Sequence, residues 1–445
     1  MRGFINVVII IEFIAYLILA LYLLAFALVC VYGLHRYVMV QAFLRARRTY
    51  PLETAAPYKG TAGSLQSETN IPDGDSACAS QLGTVTVQLP MYNERHVASR
   101  IIRAAAALDW PSEKLQIQVL DDSTDSSAQI ARRTCEELSD AGVNIQYIHR
   151  TNRQGYKAGA LANGMKSASG EYIAIFDADF VPAPDFLRRT IPEFDQPGLG
   201  MVQARWSHLN RERSILTRVQ AIFLDAHFIV EQSARASTGK WFNFNGTAGV
   251  WRRTCIDAAG GWQHDTLTED TDLSYRAQLA GWRFKFLNHV ACPAELPPTV
   301  SAFLSQQHRW QKGLVQTAMK LLPTILRSPT PLRTRMEAFF HLTSPLLYLL
   351  VLLMIALLPG IIIFSDFYRD LHPHINFALT VIFPFFGICS TTTFYLASQL
   401  GQGRSLLRTV CLLPALFAIG TGLTCNNSRA VLEALFRRQS PFIRT

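Results

Sequence analysis

Apolar runs constrain this chain more than any other feature. Ile5 to Tyr32 is almost wholly apolar, and further long runs appear after about residue 337. About 20 such residues cross a bilayer, and the stretch between the runs has ordinary soluble composition. The pattern predicts an integral, multi-pass membrane protein with a soluble domain between its spans. A cleaved signal is excluded by the length of the first run and by the lack of an A-x-A-like site after it. Arg36, Arg45, Arg47 and Arg48 follow the first run, against Arg2 before it. The positive-inside rule then puts the amino terminus outside and the next domain in the cytoplasm. Residues 1–36 hold the first span (5–32), and residues 337–398 hold two more, at 337–364 and 375–398. Residues 406–424 are interrupted by Pro414, Gly420 and Gly422 and followed by a basic tail. Residues 399–445 therefore read as an interfacial helix with the tail inside.

The formal charge of +9 suits an anionic membrane surface or nucleic acid. No nucleic-acid-binding motif is present, so the excess is assigned to membrane-flanking residues, membrane lipid and anionic ligands. Eight cysteines are scattered without a C-x-x-C pair. They read as free thiols, not a disulfide framework or zinc site.

Residues 37–83 read as a linker, and 51–83, rich in Pro, Gly, Ser, Thr and Ala, as its poorly ordered part. Between 84 and 300, short apolar runs alternate with helical stretches. Thr84–Leu89 runs into Pro90-Met-Tyr-Asn93-Glu94 and a helix over about 95–108. Gln116–Leu120 ends in Asp121-Asp122-Ser-Thr-Asp125, where Asp125 or Ser126 caps the next helix. Asn144–Ile148 leads to a Gly-rich loop with Lys157 that opens into a helix, a ready anion site. This alternation predicts an α/β fold with a doubly wound, mostly parallel, Rossmann-like sheet.

Tyr172–Phe176 is the central strand of that fold, and it ends in Asp177-Ala-Asp179. Carboxylates two apart on an extended chain point the same way, and the carboxyl ends of such strands are where ligands bind. The bland alternative is a solvated acidic turn. A second acidic cluster, 121–122, ends another strand. If the two strands are neighbours, the carboxylates share one cleft and call for a cation. Two hard oxygen ligands suit Mg²⁺ or Mn²⁺ carrying a diphosphate, which makes a nucleotide diphosphate the natural ligand.

Three further stretches carry chemistry. Phe242–Val250 is Gly- and Asn-rich, and Gly246 permits close approach to a ligand. Thr268-Glu269-Asp270 opens a helix, where spacing alone leaves Asp270 as a cap or a catalyst. Residues 301–336 begin with an amphipathic helix. Lying on the membrane surface is its bland role, but Arg309 beside Trp310 offers a phosphate fork and a sugar-stacking face.

Taken together, Asp121-Asp122, Asp177-Ala-Asp179, Thr268-Glu-Asp270 and Gln306-Gln-His-Arg309-Trp310 resemble the membrane-embedded processive glycosyltransferases of family 2. QLPMYNE, QVLDDSTD, KAGAL, MVQARW, FNGTAGVWR and QQHRW look most like the cellulose-synthase-like mannan and glucan synthases. The resemblance is dense over about 84–312. It implies a GT-A domain for 84–300. Asp121 and Asp122 would then contact the nucleoside and position the diphosphate, with Pro90, Asn93, Glu94 and Lys157 also at the nucleotide sugar. Asp177 and Asp179 would hold the metal, and Asp270 would be the general base. Gln306 and Arg309 would clamp the diphosphate, while Gly246, Thr247, Glu269 and Trp310 would meet the acceptor. Such relatives continue past the position of Phe442–Thr445 into at least one more span, so this chain reads as a fragment or a shortened member.

The leading expectation is an inverting transferase adding β-linked hexosyl units from UDP-glucose or GDP-mannose to a growing polysaccharide. A glycolipid synthase with a lipid acceptor would use the same motifs. A non-catalytic nucleotide-sugar-binding subunit is disfavoured by retention of every acidic motif. The sequence is silent on accessory subunits.

Overall fold

The structure, a computed structural model, describes residues 2–49 and 82–438. It opens with a single helix, α1 (Arg2–Thr49). The expected linker begins later than residue 37, because α1 carries apolar residues past the first span. Met39, Val40 and Phe43 are buried against Ala226, Ile229, Val230 and Ala234 of the soluble domain. The Pro/Gly/Ser-rich stretch of 51–81 lies outside the described residues.

The soluble domain is built on seven strands: β1 (Val85–Met91), β2 (Leu115–Asp121), β3 (Ile145–His149), β4 (Tyr172–Ile175), β5 (Leu199–His208), β6 (Gly249–Arg252) and β7 (Arg283–Ala294). Helices α2 (Ala98–Ala106), α3 (Ser127–Asp140), α4 (Tyr156–Met165) and α5 (Phe186–Thr190) connect the first strands. After β5 come α6 (Ile215–Asp225), a π-turn (Ala226–Gln232) and α7 (Ser233–Ser237); α8 (Arg253–Ala258) and α9 (Glu269–Leu279) separate β6 from β7. The sheet order is β3-β2-β1-β4-β6-β5-β7. All neighbours are parallel except β6, which runs against both β4 and β5. β4 is apolar on both faces because helices cover both sides, whereas β1 is apolar on one face and carries buried Thr86 and Gln88 on the other, with Gln88 Nε2 donating to Gln118 Oε1 of β2 (3.0 Å).

Topology departs from the sequence reading at one informative point. The strands that end in the two acidic clusters are not neighbours: β1 lies between β2 and β4. The clusters still share an edge, because parallel strands put all their carboxyl ends on one side. The reversed β6 delivers its leading loop there too, since Gly249 pairs with Ile175 at the end of β4.

Beyond β7, α10 (Val300–Arg327) leaves from that same edge and α11 (Leu332–Thr343) folds back on it. The apolar helix expected over 337–364 is broken at Ser344-Pro345. Glu337 and His341 of α11 are buried against the soluble domain, and only α12 (Leu346–Ile363) is apolar throughout. The 375–398 stretch falls within a helical run of α13 (His372–Phe377), two π-turns and α14 (Ser390–Gly401). The last element is α15 (Leu406–Leu435), which continues through Pro414. Among the described residues, α1, α12 and α15 are long and apolar enough to cross a membrane.

Candidate active site

The carboxyl edge of the sheet opens into a cleft of about 390 Å³. Its lining holds Pro90, Glu94, Asp122, Lys157, Asp177 and Asp179, together with Gly246, Glu269, Asp270, Gln306, Arg309 and Trp310. Sequence motifs spread over more than 200 residues thus converge on one space.

One side of the cleft is built by β1 and β2. The Asn93 N–H donates to Ser123 Oγ (2.7 Å), and the Thr124 N–H donates to Asn93 Oδ1 (2.9 Å), which ties the PMYNE turn to the DDST loop. Asn93 holds a left-handed φ of 55°, which a side chain that bonds locally tolerates. Asp121 is fully buried and does not line the cleft. Its Oδ1 accepts from the Ser123 N–H (2.9 Å) and its Oδ2 from the Tyr147 hydroxyl (2.7 Å). Asp122 lines the cleft with its carboxylate gripped by both arms of Arg150. The Arg153 guanidinium lies 3.3 Å from the centre of the Tyr92 ring in the cleft wall. Tyr147 and Arg150 carried no sequence signal, because their role depends on strand pairing across β2 and β3, whereas Arg153 lies in the loop read as an anion site.

The centre is built by β4, α4 and the loop before β6. Lys157 Nζ donates to Asp177 Oδ1 (2.5 Å) and to the Gly246 carbonyl (3.0 Å). The Asp177 N–H donates to Thr247 Oγ1 (2.8 Å), so Thr247 acts from beneath the cleft, fully buried, not from its surface. Gly246 has φ +82°, and a Cβ there would lie 3.1 Å from Asp270 Oδ2. Glycine is therefore required twice, for its backbone and for the room it leaves beside Asp270.

Asp270 lies in the first turn of α9, with Thr268 at the cap position. Its Oδ1 accepts from the Thr271 N–H (2.7 Å), which leaves Oδ2 on the Gly246 side. Burial, then the neighbouring Glu269 carboxylate, pushes Asp270 up to about 7. Burial, then Asp177 and Glu94, pushes Asp179 up to about 7 as well. Burial opposes the charge on Lys157, but Asp177, Glu269 and Asp270 outweigh it and raise that group. The cleft thus gathers more carboxylates than Arg153, Lys157 and Arg309 balance.

Trp310 of α10 lies 6.4 Å from Trp206 of β5, giving two aromatic faces beside the carboxylates. His208, Asn245 and Leu296–Pro298 complete that wall.

A family model described as glycosyltransferase like family 2 matches residues 83–313, just over half of the chain. This chain belongs to glycosyltransferase family 2. Its match to glucomannan 4-beta-mannosyltransferase 2 of Arabidopsis thaliana is 48% identical over 263 residues, covering 58% of this chain and 49% of the relative. Glucomannan 4-beta-mannosyltransferase 1 of Oryza sativa subsp. japonica matches at 48% over 268 residues, 58% of this chain and 51% of the relative. The chain spans about half the length of these curated relatives. A solved mannosyltransferase of Pyrobaculum calidifontis, in complex with GDP-Man and Mn2+, shares the fold. The match covers 96% of this family 2 chain and 100% of that one, at 19% identity and a TM-score of 0.59.

Proposed function

We propose that this chain is an inverting glycosyltransferase that adds β-linked mannosyl units from GDP-mannose to a growing glycan at the membrane. The observation that carries the chemistry is Asp270: a carboxylate in the cleft, raised to about 7, beside a glycine that leaves it open. A general base works best with a pKa near the operating pH. The plant relatives, named as glucomannan 4-beta-mannosyltransferases, favour mannose over glucose.

Asp270 Oδ2 takes the proton of the acceptor hydroxyl as that oxygen attacks the anomeric carbon from the face opposite the leaving diphosphate. Inversion gives a β linkage from an α-linked donor. Trp310 and Trp206 supply flat faces for the acceptor sugars. Arg309 and Gln306, across the cleft from Asp179, meet the diphosphate, and Lys157 keeps a cation beside it. Asp177 and Asp179 would hold a divalent ion: two hard carboxylates in a cleft of excess negative charge suit Mg²⁺ or Mn²⁺. Once bound, Mg²⁺ or Mn²⁺ supplies positive charge that stabilises the departing diphosphate. Asp122, already oriented by Arg150, faces the nucleoside; Asp121 shapes that pocket from behind.

The test is incubation of membranes with labelled GDP-mannose and UDP-glucose in turn, followed by linkage analysis. A β-linked mannan or glucomannan supports the reading. An organic-extractable glycolipid would move the acceptor to a membrane lipid, and turnover of neither donor would overturn the proposal.

The proposed topology keeps the catalytic domain in the cytoplasm, with α15 along the inner interface. Two contacts support the placement of α15. Its middle, Leu412, Leu416 and Ile419, packs on Val219 and Ile222 of α6, and near its end the Asn426 side chain donates to the Leu304 carbonyl of α10.

A further inference from the structure

Helix α10 has two working sides. At about 100° per residue, Gln306, Arg309, Trp310, Gly313, Thr317 and Lys320 fall on one stripe. The first three line the cleft. The rest grip the turn that carries Asp270: a Cβ on Gly313 would meet Thr268 Cγ2 at 2.5 Å, Thr317 Oγ1 lies 3.2 Å from Thr268 Oγ1, and Lys320 pairs with Asp272 at 2.8 Å. Leu304, His308, Lys312 and Val315 fall on the opposite stripe, which faces α15. The Leu304 carbonyl accepts from Asn426, and Val315 packs with Val431 and Ala434.

The centre of that second stripe is ionic. Lys312 is 1% exposed, yet its Nζ donates to Glu433 Oε2 (3.1 Å) and to the Arg438 carbonyl (2.7 Å). The same Glu433 oxygen lies 3.2 Å from His308 Nε2, and Oε1 accepts from exposed Arg429 (2.9 Å). A buried ammonium needs a carboxylate close by, because an uncompensated buried charge is costly. Lys312 is one turn from Arg309. The ion pair that holds Lys312 against α15 therefore acts one turn from the stripe that faces the cleft.

We infer that Lys312 and Glu433 form a latch through which the carboxy-terminal helix sets the position of Arg309 and Trp310 in the cleft. This rests on the reading of the cleft as a nucleotide-sugar transferase site. Lys312 and Glu433 are positioning residues and touch neither donor nor acceptor. The latch also makes α15 part of the catalytic unit, since the helix that holds Arg309 on one side holds Asp270 on the same stripe and α15 on the other.

The test uses the full chain in detergent or native membranes. Glu433→Gln removes the carboxylate 3.1 Å from Lys312 Nζ, and the rate is expected to fall roughly 10- to 100-fold, the scale of a misplacement of about 1 Å. GDP affinity, read by titration, should weaken as Arg309 moves. The fall should exceed any loss of folded protein, measured as the fraction of sites that bind GDP at saturation. Lys312→Met combined with Glu433→Gln removes both charges and should recover most of kcat. Arg429→Ala, on the exposed rim, should leave both readouts unchanged. If Glu433→Gln does not accumulate, Glu433→Asp keeps the charge but shortens its reach, and a severalfold drop in kcat per binding site is expected. Native kcat per binding site in Glu433→Gln or Glu433→Asp overturns the latch, and so does a double variant no faster than the single one. A native chain that neither binds GDP nor turns over either donor overturns the functional reading itself.

Discussion

Asp270 is where sequence and structure part most usefully at the scale of one residue. A Thr-Glu-Asp opening a helix is compatible with capping, and only the fold puts Thr268 at the cap and Asp270 beside Gly246. Its raised pKa has two consequences. If Asp270 is the base, as proposed, it must be ionised to accept a proton, so kcat should rise with pH through about 7 and flatten above it. Asp270→Asn should lower the rate roughly a hundredfold or more and remove that inflection, with GDP binding retained. The stability effect has the opposite sign. The folded-state pKa lies above the ordinary aspartate value of 3.8, so the native state favours the protonated carboxyl. That contribution is full below about pH 4 and is lost as pH rises through about 7. Above pH 7 the Asn variant should therefore melt higher than the native chain, by a few degrees. A lower melting temperature with normal turnover would make Asp270 structural. At the other carboxylates, Asp179→Asn should abolish transfer. Chelation with EDTA should do the same to the native protein, with Mg²⁺ or Mn²⁺ restoring it; full activity in EDTA would remove the metal from Asp177 and Asp179.

At the scale of elements, strands and their terminal motifs were legible because period and chemistry coincide in them: β4 is four buried residues leading straight into Asp177. What could not be read were relations set by pairing. Nothing local in Leu115–Asp121 says that β1 separates it from β4, or that Tyr147 of β3 occupies Asp121. The apolar helices failed in a different way. A hydropathy run reports that a face is dry, not whether lipid or protein dries it. Glu337 therefore fell inside an expected span although it belongs to a helix packed on the soluble domain, and α1 was cut short at residue 36 although it continues to Thr49. The element that tests this ambiguity is α15, apolar enough to cross yet packed against α6 and α10. Pro414 removes one backbone donor in mid-helix, a lesser problem at an interface than in lipid. With the native thiols replaced, Arg438→Cys should resist a membrane-impermeant reagent in intact cells and react once the membrane is opened. Labelling in intact cells would make α15 a crossing helix.

Buried ion pairs as well as apolar packing join the parts of the whole molecule. Glu337 of α11 is 1% exposed at its side chain and is met by His35, Arg235 and Lys240. His35 Nε2 of α1 lies 3.1 Å away, Arg235 Nε of α7 donates at 3.0 Å, and Lys240 Nζ, just past α7, donates at 3.1 Å. Burial alone would raise Glu337, but His35, Arg235 and Lys240 hold it well below the usual carboxylate range. The first apolar helix, the floor of the catalytic domain and the helix that returns to the membrane therefore meet at one carboxylate. Removing one member of a buried pair costs about 3–5 kcal/mol, because the partner charge is stranded. Glu231 lies 3.5 Å from Arg235 and retains part of the compensation, so Glu337→Gln should fall near the lower end of that range. The same change at the exposed pair of Asp366 and Arg369, Asp366→Asn, should cost about 0–1 kcal/mol. The measurement is the rate of irreversible thermal inactivation in detergent, with proteolysis near residue 49 as a second readout, since α1 loses an anchor when Glu337 does. If Glu337→Gln inactivates no faster than Asp366→Asn, then the apolar contacts of Met39, Val40 and Phe43 suffice to hold α1, and the ion cluster contributes little to the assembly.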